Sequence, residues 1–273
     1  MEKKTKAGNK FPHIGFGDHL KSMLAVDFRR MFTMRLFYIM LGIAAAIPVL
    51  VLVMTTMMDG SVSVDPNTGV ETTVEAFDSV WQAIGSIDTE SNASAMSLTS
   101  MCNINLVYFL TAILICIFTA DDFRSGYAKN LFTVHAMKTD YVVSKILVGF
   151  TGSSLLLAGF FAGAMAGGVI SGLPFELGTA TVTGVVMSML AKVFLMAVFA
   201  AIYVLMGVIA KQRLWLSMLL SLMLGMFLFN LIPAVTPLTS TMLNVLLCLA
   251  AGVLAGIGLG SLSGLILRKR DIL

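Results

Sequence analysis

The chain has 273 residues, of which 58 % are hydrophobic and only 12 % charged, with a formal net charge of +3 and a mean hydropathy of +0.91. Charged residues make up about a quarter of an ordinary soluble domain, so this composition excludes one. Repeated uninterrupted apolar runs indicate membrane helices, because the strands of a membrane barrel show short alternating segments instead. The sequence therefore predicts an all-α integral membrane protein.

Residues 1–35 form a basic lead. Within residues 16–34 apolar side chains recur at spacings of three and four, with charged residues, Asp27 among them, largely off that face. This pattern predicts a helix that lies in the membrane interface with its apolar side toward lipid. The lead is far longer than the basic region of a signal peptide, so no cleavable signal is expected.

Six apolar segments follow, each close to the 20 or so residues that a helix needs to cross a bilayer. They are residues 36–58, 101–120, 141–170, a fourth segment that ends at residue 210, 215–232 and 242–267. With six spans, every Lys and Arg except Lys192 falls on one face, which the positive-inside rule makes cytoplasmic along with both termini. The sequence thus predicts a transmembrane domain at residues 36–267 and a cytoplasmic tail at residues 268–273.

The first loop, residues 59–98, is expected outside the cell, since it contains acidic residues but neither Lys nor Arg. Stretches of alternating valine and threonine flank residues 65–69 and predict a short hairpin. Residues 77–84 then repeat apolar side chains at helical spacing. This loop either forms a small ordered cap above the membrane or is unstructured, and both interpretations remain open.

Lys192 lies about 19 residues before Lys211, or roughly 28 Å along a helix. This separation favours a place near the outer interface, where the side chain snorkels, over a buried lysine in a translocation path. The three cysteines, Cys102, Cys116 and Cys248, lie in or beside spans. We expect them to pack as small apolar residues, with neither a disulfide nor a metal site.

Glycines recur at every fourth residue in the third and sixth spans. They are Gly159, Gly163 and Gly167, and then Gly252, Gly256, Gly260 and Gly264. Such a ladder gives a helix a flat stripe along which another backbone can pack closely. The spacing does not say whether that neighbour belongs to the same chain or to a second copy.

The sequence contains no phosphate-binding loop, no zinc-binding histidine pair and no nucleophile elbow. We therefore predict no catalytic, cofactor-binding or metal-binding residue in this chain. The basic residues of the lead lie beside a membrane span, where anionic lipid explains them, so nucleic acid is not an expected partner.

The longest polar segment between spans on the basic side is the loop of residues 121–140. Here the sequence Asp121-Asp122-Phe123-Arg124-Ser125-Gly126-Tyr127 leads to Lys138-Thr139-Asp140-Tyr141-Val142-Val143-Ser144-Lys145. On these residues, and on the order of interfacial helix and spans, the chain resembles the bacterial type-2 ABC transporter permeases. In that family an acidic residue at the inner end of the second span precedes a glycine and a short coupling helix. The pair Asp121-Asp122 stands where a single Glu is usual.

The resemblance implies the permease subunit of an ABC exporter in the bacterial plasma membrane. ATP and Mg would bind to a separate cytosolic ATPase, present in two copies, and a second permease copy or a sister permease would complete the pore. The ATPase would dock on the loop, with its apolar residues filling a groove of the partner. The docking residues implied are Asp121, Asp122, Arg124, Tyr127, Lys129, Leu131 and Phe132. The alternative for this loop is a solvated connector whose charges set orientation.

In related transporters the second and fifth spans line the cavity. The resemblance therefore implies the lining candidates Asn103, Asn105, Phe109, Phe227 and Asn230, for each of which ordinary helix packing is the alternative. The expected cargo is an amphiphilic peptide or a drug-like compound.

Two other functional classes remain open. The first is a sensor or assembly protein without transport, whose acidic outer cap binds a ligand. The second is a channel or carrier that works without ATP. An adjacent gene for a lone ABC ATPase would favour the exporter, whereas a neighbouring kinase or an isolated gene would favour the others.

Overall fold

A computed structural model describes residues 16–64, 71–73, 77–85, 104–133, 138–178, 180–211, 213–229 and 231–269. Within these residues the chain is almost entirely helical, which confirms the predicted all-α class. The helices are α1 (Phe16–Thr33), α2 (Arg35–Met57), α3 (Leu106–Arg124), α4 (Tyr127–Thr133), α5 (Lys138–Ser171), α6 (Val182–Ala210), α7 (Leu214–Phe229), α8 (Leu231–Val235) and α9 (Met242–Lys269). Between α2 and α3 lie two short strands, β1 (Val62–Val64) and β2 (Glu71–Thr73), and a 3-10 helix at Val80–Ala83.

Five of the described helices, α2, α3, α5, α6 and α9, are long and apolar enough to cross a membrane. The chain is therefore a multi-pass membrane protein. Of the predicted fifth span, residues 215–232, the described part lies in α7 and α8, which flank residue 230.

Close contact between α2 and α5 occurs along the first glycine ladder. Gly159 faces Leu41, Gly163 faces the backbone of Ala45, and Gly167 faces the backbone of Val49. A methyl group at Gly163 would overlap the carbonyl oxygen of Ala45, so only glycine allows this approach.

The second ladder packs α9 against its own chain. A Cβ atom at Gly252 would lie 3.1 Å from Ala197 Cβ on α6, and one at Gly264 would lie 3.3 Å from Thr139 Cγ2 on α5. Gly260 likewise faces α5. Gly256 differs, since nothing lies within 4 Å of the position its Cβ would take. Three of the four glycines thus have neighbours in the same chain.

Helix α1 packs on α5 rather than presenting its apolar side to lipid. Met23, Asp27 and Met31 are all buried, and Met31 lies against Gly152 of α5. The prediction that the apolar side faces lipid, with Asp27 off it, is wrong. Asp27 lies in the middle of the packed face because α5 supplies partners for its charge.

At the other end of the bundle from α4, the described part of the first loop contains the short strands and the 3-10 helix. β1 and β2 pair antiparallel, with Val62 opposite Thr73, which confirms the predicted hairpin. Ser79 Oγ donates a hydrogen bond to the carbonyl of Glu176 at 2.7 Å, and Trp81 Nε1 donates to that of Phe175 at 3.1 Å. These bonds fasten the described residues 77–85 to the loop between α5 and α6.

Two of the three cysteines pack in the core, as expected for small apolar residues. Cys116 and Cys248 are buried and free, and the Cys116 sulfur lies 3.1 Å from Ser221 Oγ. Cys102 lies outside the described residues.

Candidate functional site

A tight turn places α4 against the end of α3. Helix α3 ends at Arg124, and Gly126 takes a φ of 74°, a left-handed conformation that glycine adopts without strain. The amide of Asn130 then donates to the carbonyl of Gly126 at 3.0 Å. The sequence Ser125-Gly126 thus turns the chain so that α4 lies beside the bundle.

Four charged side chains from three helices meet above this turn, and we refer to Asp27, Arg30, Asp122 and Lys145 as the charge cluster. Lys145 Nζ lies 2.9 Å from Asp27 Oδ1 and 2.6 Å from Asp122 Oδ2. Arg30 Nη1 lies 2.6 Å from Asp122 Oδ1 and 3.9 Å from Asp27 Oδ1. Two carboxylates and two cations therefore balance one another.

Three of these side chains are fully buried, whereas Arg30 remains 28 % exposed. Hydrogen bonds complete the coordination of the carboxylates. Tyr141 donates its hydroxyl to Asp122 at 2.9 Å, and Ser144 donates to Asp27 at 2.6 Å. Buried charges are tolerated only with partners of this kind.

Aromatic rings surround the two cations. The Arg30 guanidinium carbon lies 4.2 Å from the centre of the Tyr127 ring, and Lys145 Nζ lies 3.9 Å from that of Phe118. Both distances are suited to cation–π attraction. Tyr127 is on α4, so the cluster also holds that helix.

The ionisation of the two groups outside the spans is consistent with this arrangement. Partial burial lowers the pKa of Arg30, but attraction to Asp122 and Asp27 outweighs it and leaves that pKa above its ordinary value. Burial raises the pKa of Tyr127, and the Asp27 charge raises it further, although Arg30 opposes both effects. At neutral pH Arg30 is therefore charged and Tyr127 neutral.

The side of α4 that faces the bundle carries its apolar residues. Phe132 meets the edge of the Tyr141 ring at 5.4 Å between centres, and Leu131 packs against the main core. With Tyr127, these side chains are half-buried in their own chain. Part of each side chain is therefore already covered by its own chain, and their predicted role in a partner's groove stays a prediction.

The opposite side of α4 and the turn before it are exposed. Arg124, Lys129, Asn130 and Thr133 all face outward, as does Asp121. The structure thus separates the two neighbouring acids, because Asp122 belongs to the charge cluster and Asp121 does not. Of the residues predicted for docking, Arg124 and Lys129 offer an accessible cationic surface.

Sequence reasoning missed Asp27, Arg30, Tyr141, Ser144 and Lys145 as parts of this site. One signal was available. Asp27 follows Met23 by four residues and precedes Met31 by four, so it lies on the apolar face of α1, where an acid requires a partner. The identity of that partner, 118 residues away in Lys145, could not be found in the pattern.

Of the five residues predicted to line a pathway, the three that the structure describes are not gathered in one place. Asn105, which directly precedes α3, is buried with 3 % exposure. Phe109, one turn further along, is half-buried. Phe227 points away from the chain with 77 % exposure. Asn103 and Asn230 lie outside the described residues.

Lys192 does not snorkel to the surface. It is only 1 % exposed and donates hydrogen bonds to Ser188 Oγ at 3.1 Å, to Thr236 Oγ1 at 2.9 Å and to the carbonyl of Thr236. The predicted snorkelling is therefore wrong, because neighbouring helices enclose the side chain and supply its acceptors. Thr236 follows α8, so Lys192 ties α6 to the connection between α8 and α9.

Comparison with protein-family models, with curated proteins and with solved structures finds no match for this chain.

Proposed function

We propose that this chain is the permease subunit of an ABC exporter, and that α4 is the element through which a separate cytosolic ATPase moves it. The observation that carries this proposal is the attachment of α4 to the charge cluster. Through Arg30 and Tyr127 a helix outside the bundle is joined to α1, to the end of α3 and to the start of α5.

The attachment suits mechanical coupling because α4 contacts a strongly paired residue. Tyr127 joins α4 to Arg30 by a cation–π contact worth roughly 0.5–2 kcal/mol. The ion pairs behind it join α1, α3 and α5, and removing one member of such a buried pair costs about 3–5 kcal/mol. A force applied to α4 would therefore displace α1, α3 and α5 together. This displacement would alternate the access of a central cavity between the two faces of the membrane.

The exposed side of α4, together with the end of α3, supplies the docking surface in this proposal. Arg124 and Lys129 would face an acidic rim on the ATPase, since charge complementarity directs partner choice and raises association rates. ATP and Mg remain on the ATPase, in two copies, and a second permease copy or a sister permease completes the pathway. The cargo would be an amphiphilic peptide or drug-like compound.

The test separates docking from coupling. The chain is co-expressed with each lone ABC ATPase that its own genome encodes, and both co-purification and ATP hydrolysis in membranes are measured. Arg124→Glu with Lys129→Glu should abolish co-purification, because both charges are reversed on an exposed surface. Arg30→Gln should retain co-purification but lose most of the permease-stimulated ATP hydrolysis, because it releases α4 from the cluster.

The matched control is Lys21→Glu with Arg29→Glu, which reverses two exposed charges on α1 and should behave as the wild type. Thermal unfolding in detergent verifies that each variant is folded. Unchanged co-purification and unchanged stimulation by the α4 variant would overturn the docking role and with it the proposed function.

A further inference from the structure

A groove of about 570 Å³ runs along the side of the bundle between α5, α6 and α9, and we refer to it as the lateral groove. Its walls are apolar. They include Val143, Ile146 and Phe150 of α5, Phe194 of α6, and Gly256 and Ile257 of α9. Gly256 forms part of its floor, which explains why this glycine alone in its ladder has no neighbour within 4 Å.

The lateral groove has the length of one membrane leaflet. On α9 it extends from Leu249 to Ser261, which is roughly 18 Å at 1.5 Å per residue. Half of a hydrocarbon core is about 15 Å thick. Ile257 is 68 % exposed and Val253 54 % exposed at its mouth, so the groove opens sideways, where lipid surrounds the bundle.

Positive charge lies beyond one end of the lateral groove. Lys138 directly precedes Thr139, a lining residue, and its Nζ donates to the carbonyl of Leu267 at 2.7 Å. This bond joins the start of α5 to the end of α9. Arg268 and Lys269 follow at once and are exposed. Arg268 lies two turns beyond Ser261, about 10 Å along the same face of α9.

We propose that the lateral groove binds one acyl chain of an anionic phospholipid whose headgroup phosphate is bound by Lys138, Arg268 and Lys269. The apolar walls match the chain, and the cations match the phosphate. Basic pockets between membrane helices bind anionic headgroups in this way. The site is separate from α4 and does not depend on the proposed motor.

The probe is phosphatidylglycerol with a photoreactive diazirine in one acyl chain, added to nanodiscs of phosphatidylcholine that contain the full chain. After irradiation, mass spectrometry locates the labelled peptides. We expect labelling on α5 and α9 at the lateral groove, and about tenfold less with the same diazirine chain on phosphatidylcholine, since each nearby cation adds to the attraction.

Two variants address the two parts of the site. Gly256→Phe fills the lateral groove and should remove the labelling, whereas Gly258→Phe, on the same helix but outside the groove, should not. Arg268→Gln with Lys269→Gln should lower labelling by phosphatidylglycerol about tenfold, while Lys21→Gln with Arg29→Gln on α1 should leave it unchanged.

Equal labelling by both headgroups would overturn the proposal, because the groove would then hold only bulk lipid. Labelling that survives Gly256→Phe would overturn it as well. So would a disulfide between two chains carrying Ile257→Cys, beyond the background of the wild-type cysteines, since a second copy would then occupy the groove. If Gly256→Phe fails to fold, the headgroup comparison and the charge variant decide the outcome.

Discussion

Lys145 and Asp122 lie 2.6 Å apart with both side chains fully buried, although one belongs to α5 and the other to the end of α3. The same ammonium group also contacts Asp27 of α1 at 2.9 Å. One cation thus joins three helices. A buried pair of this kind does not make a protein more stable than an apolar packing would, but losing one member leaves an uncompensated charge.

Lys145→Met should therefore lower the free energy of unfolding by about 3–5 kcal/mol. Arg30 alone would then have to balance two carboxylates. Denaturant unfolding in a fixed detergent measures the change. Lys129→Met, which removes an exposed lysine, should alter stability by less than about 0.5 kcal/mol.

Adding Asp27→Asn to Lys145→Met should recover part of the loss, because coupled neighbours are not additive. Equal stabilities for Lys145→Met and the wild type would refute the role given to the cluster.

Gly163→Ala should destabilise the contact between α2 and α5. The added methyl group meets the backbone of Ala45, which cannot rotate away as a side chain would. Overpacking of this kind costs roughly 1–3 kcal/mol, visible as a lower midpoint of thermal unfolding.

Gly258→Ala is the matched control for that variant, since nothing lies within 4 Å of the added methyl group. This substitution should be neutral or stabilise the helix by about 0.5–1 kcal/mol, because alanine is the better helix former. If both alanine variants unfold at the same temperature, glycine is not needed at Gly163 for the close approach of the α2 and α5 backbones.

Lys192→Met should cost much less than Lys145→Met, although both lysines are buried. The described partners of Lys192 are two hydroxyls and a carbonyl, so no ionised group among them loses its counter-charge. The substitution removes a desolvated cation and leaves these neutral groups without a donor, for a net change of roughly 1 kcal/mol. Unfolding Lys192→Met and Lys145→Met under the same conditions tests which variant loses more stability. A larger loss of stability for Lys192→Met would show that this lysine makes an ionic contact.

Several elements follow from local pattern and could be predicted. The apolar runs lead to the long helices, and the alternating valines to the hairpin. Each depends on residues within a few positions of one another.

The candidate site was predicted only in part. Asp122 and Tyr127 were among the residues expected to matter, but they were expected to face a partner protein. Their actual partners, Arg30 and Tyr141, come from other segments of the chain. Lys192 shows the same limit, since its distance from Lys211 gave a depth along the helix but said nothing of the residues around it.

By itself the sequence determined that this chain lies in a membrane as a set of helices, because its apolar content leaves no other way to satisfy the backbone. It also predicts that the positive charge lies on one face of that membrane. Only the tertiary structure decided which charges neutralise one another and which side of α4 is free. Such pairings depend on which helices come into contact. No local sequence pattern predicts a contact between side chains that are more than a hundred residues apart.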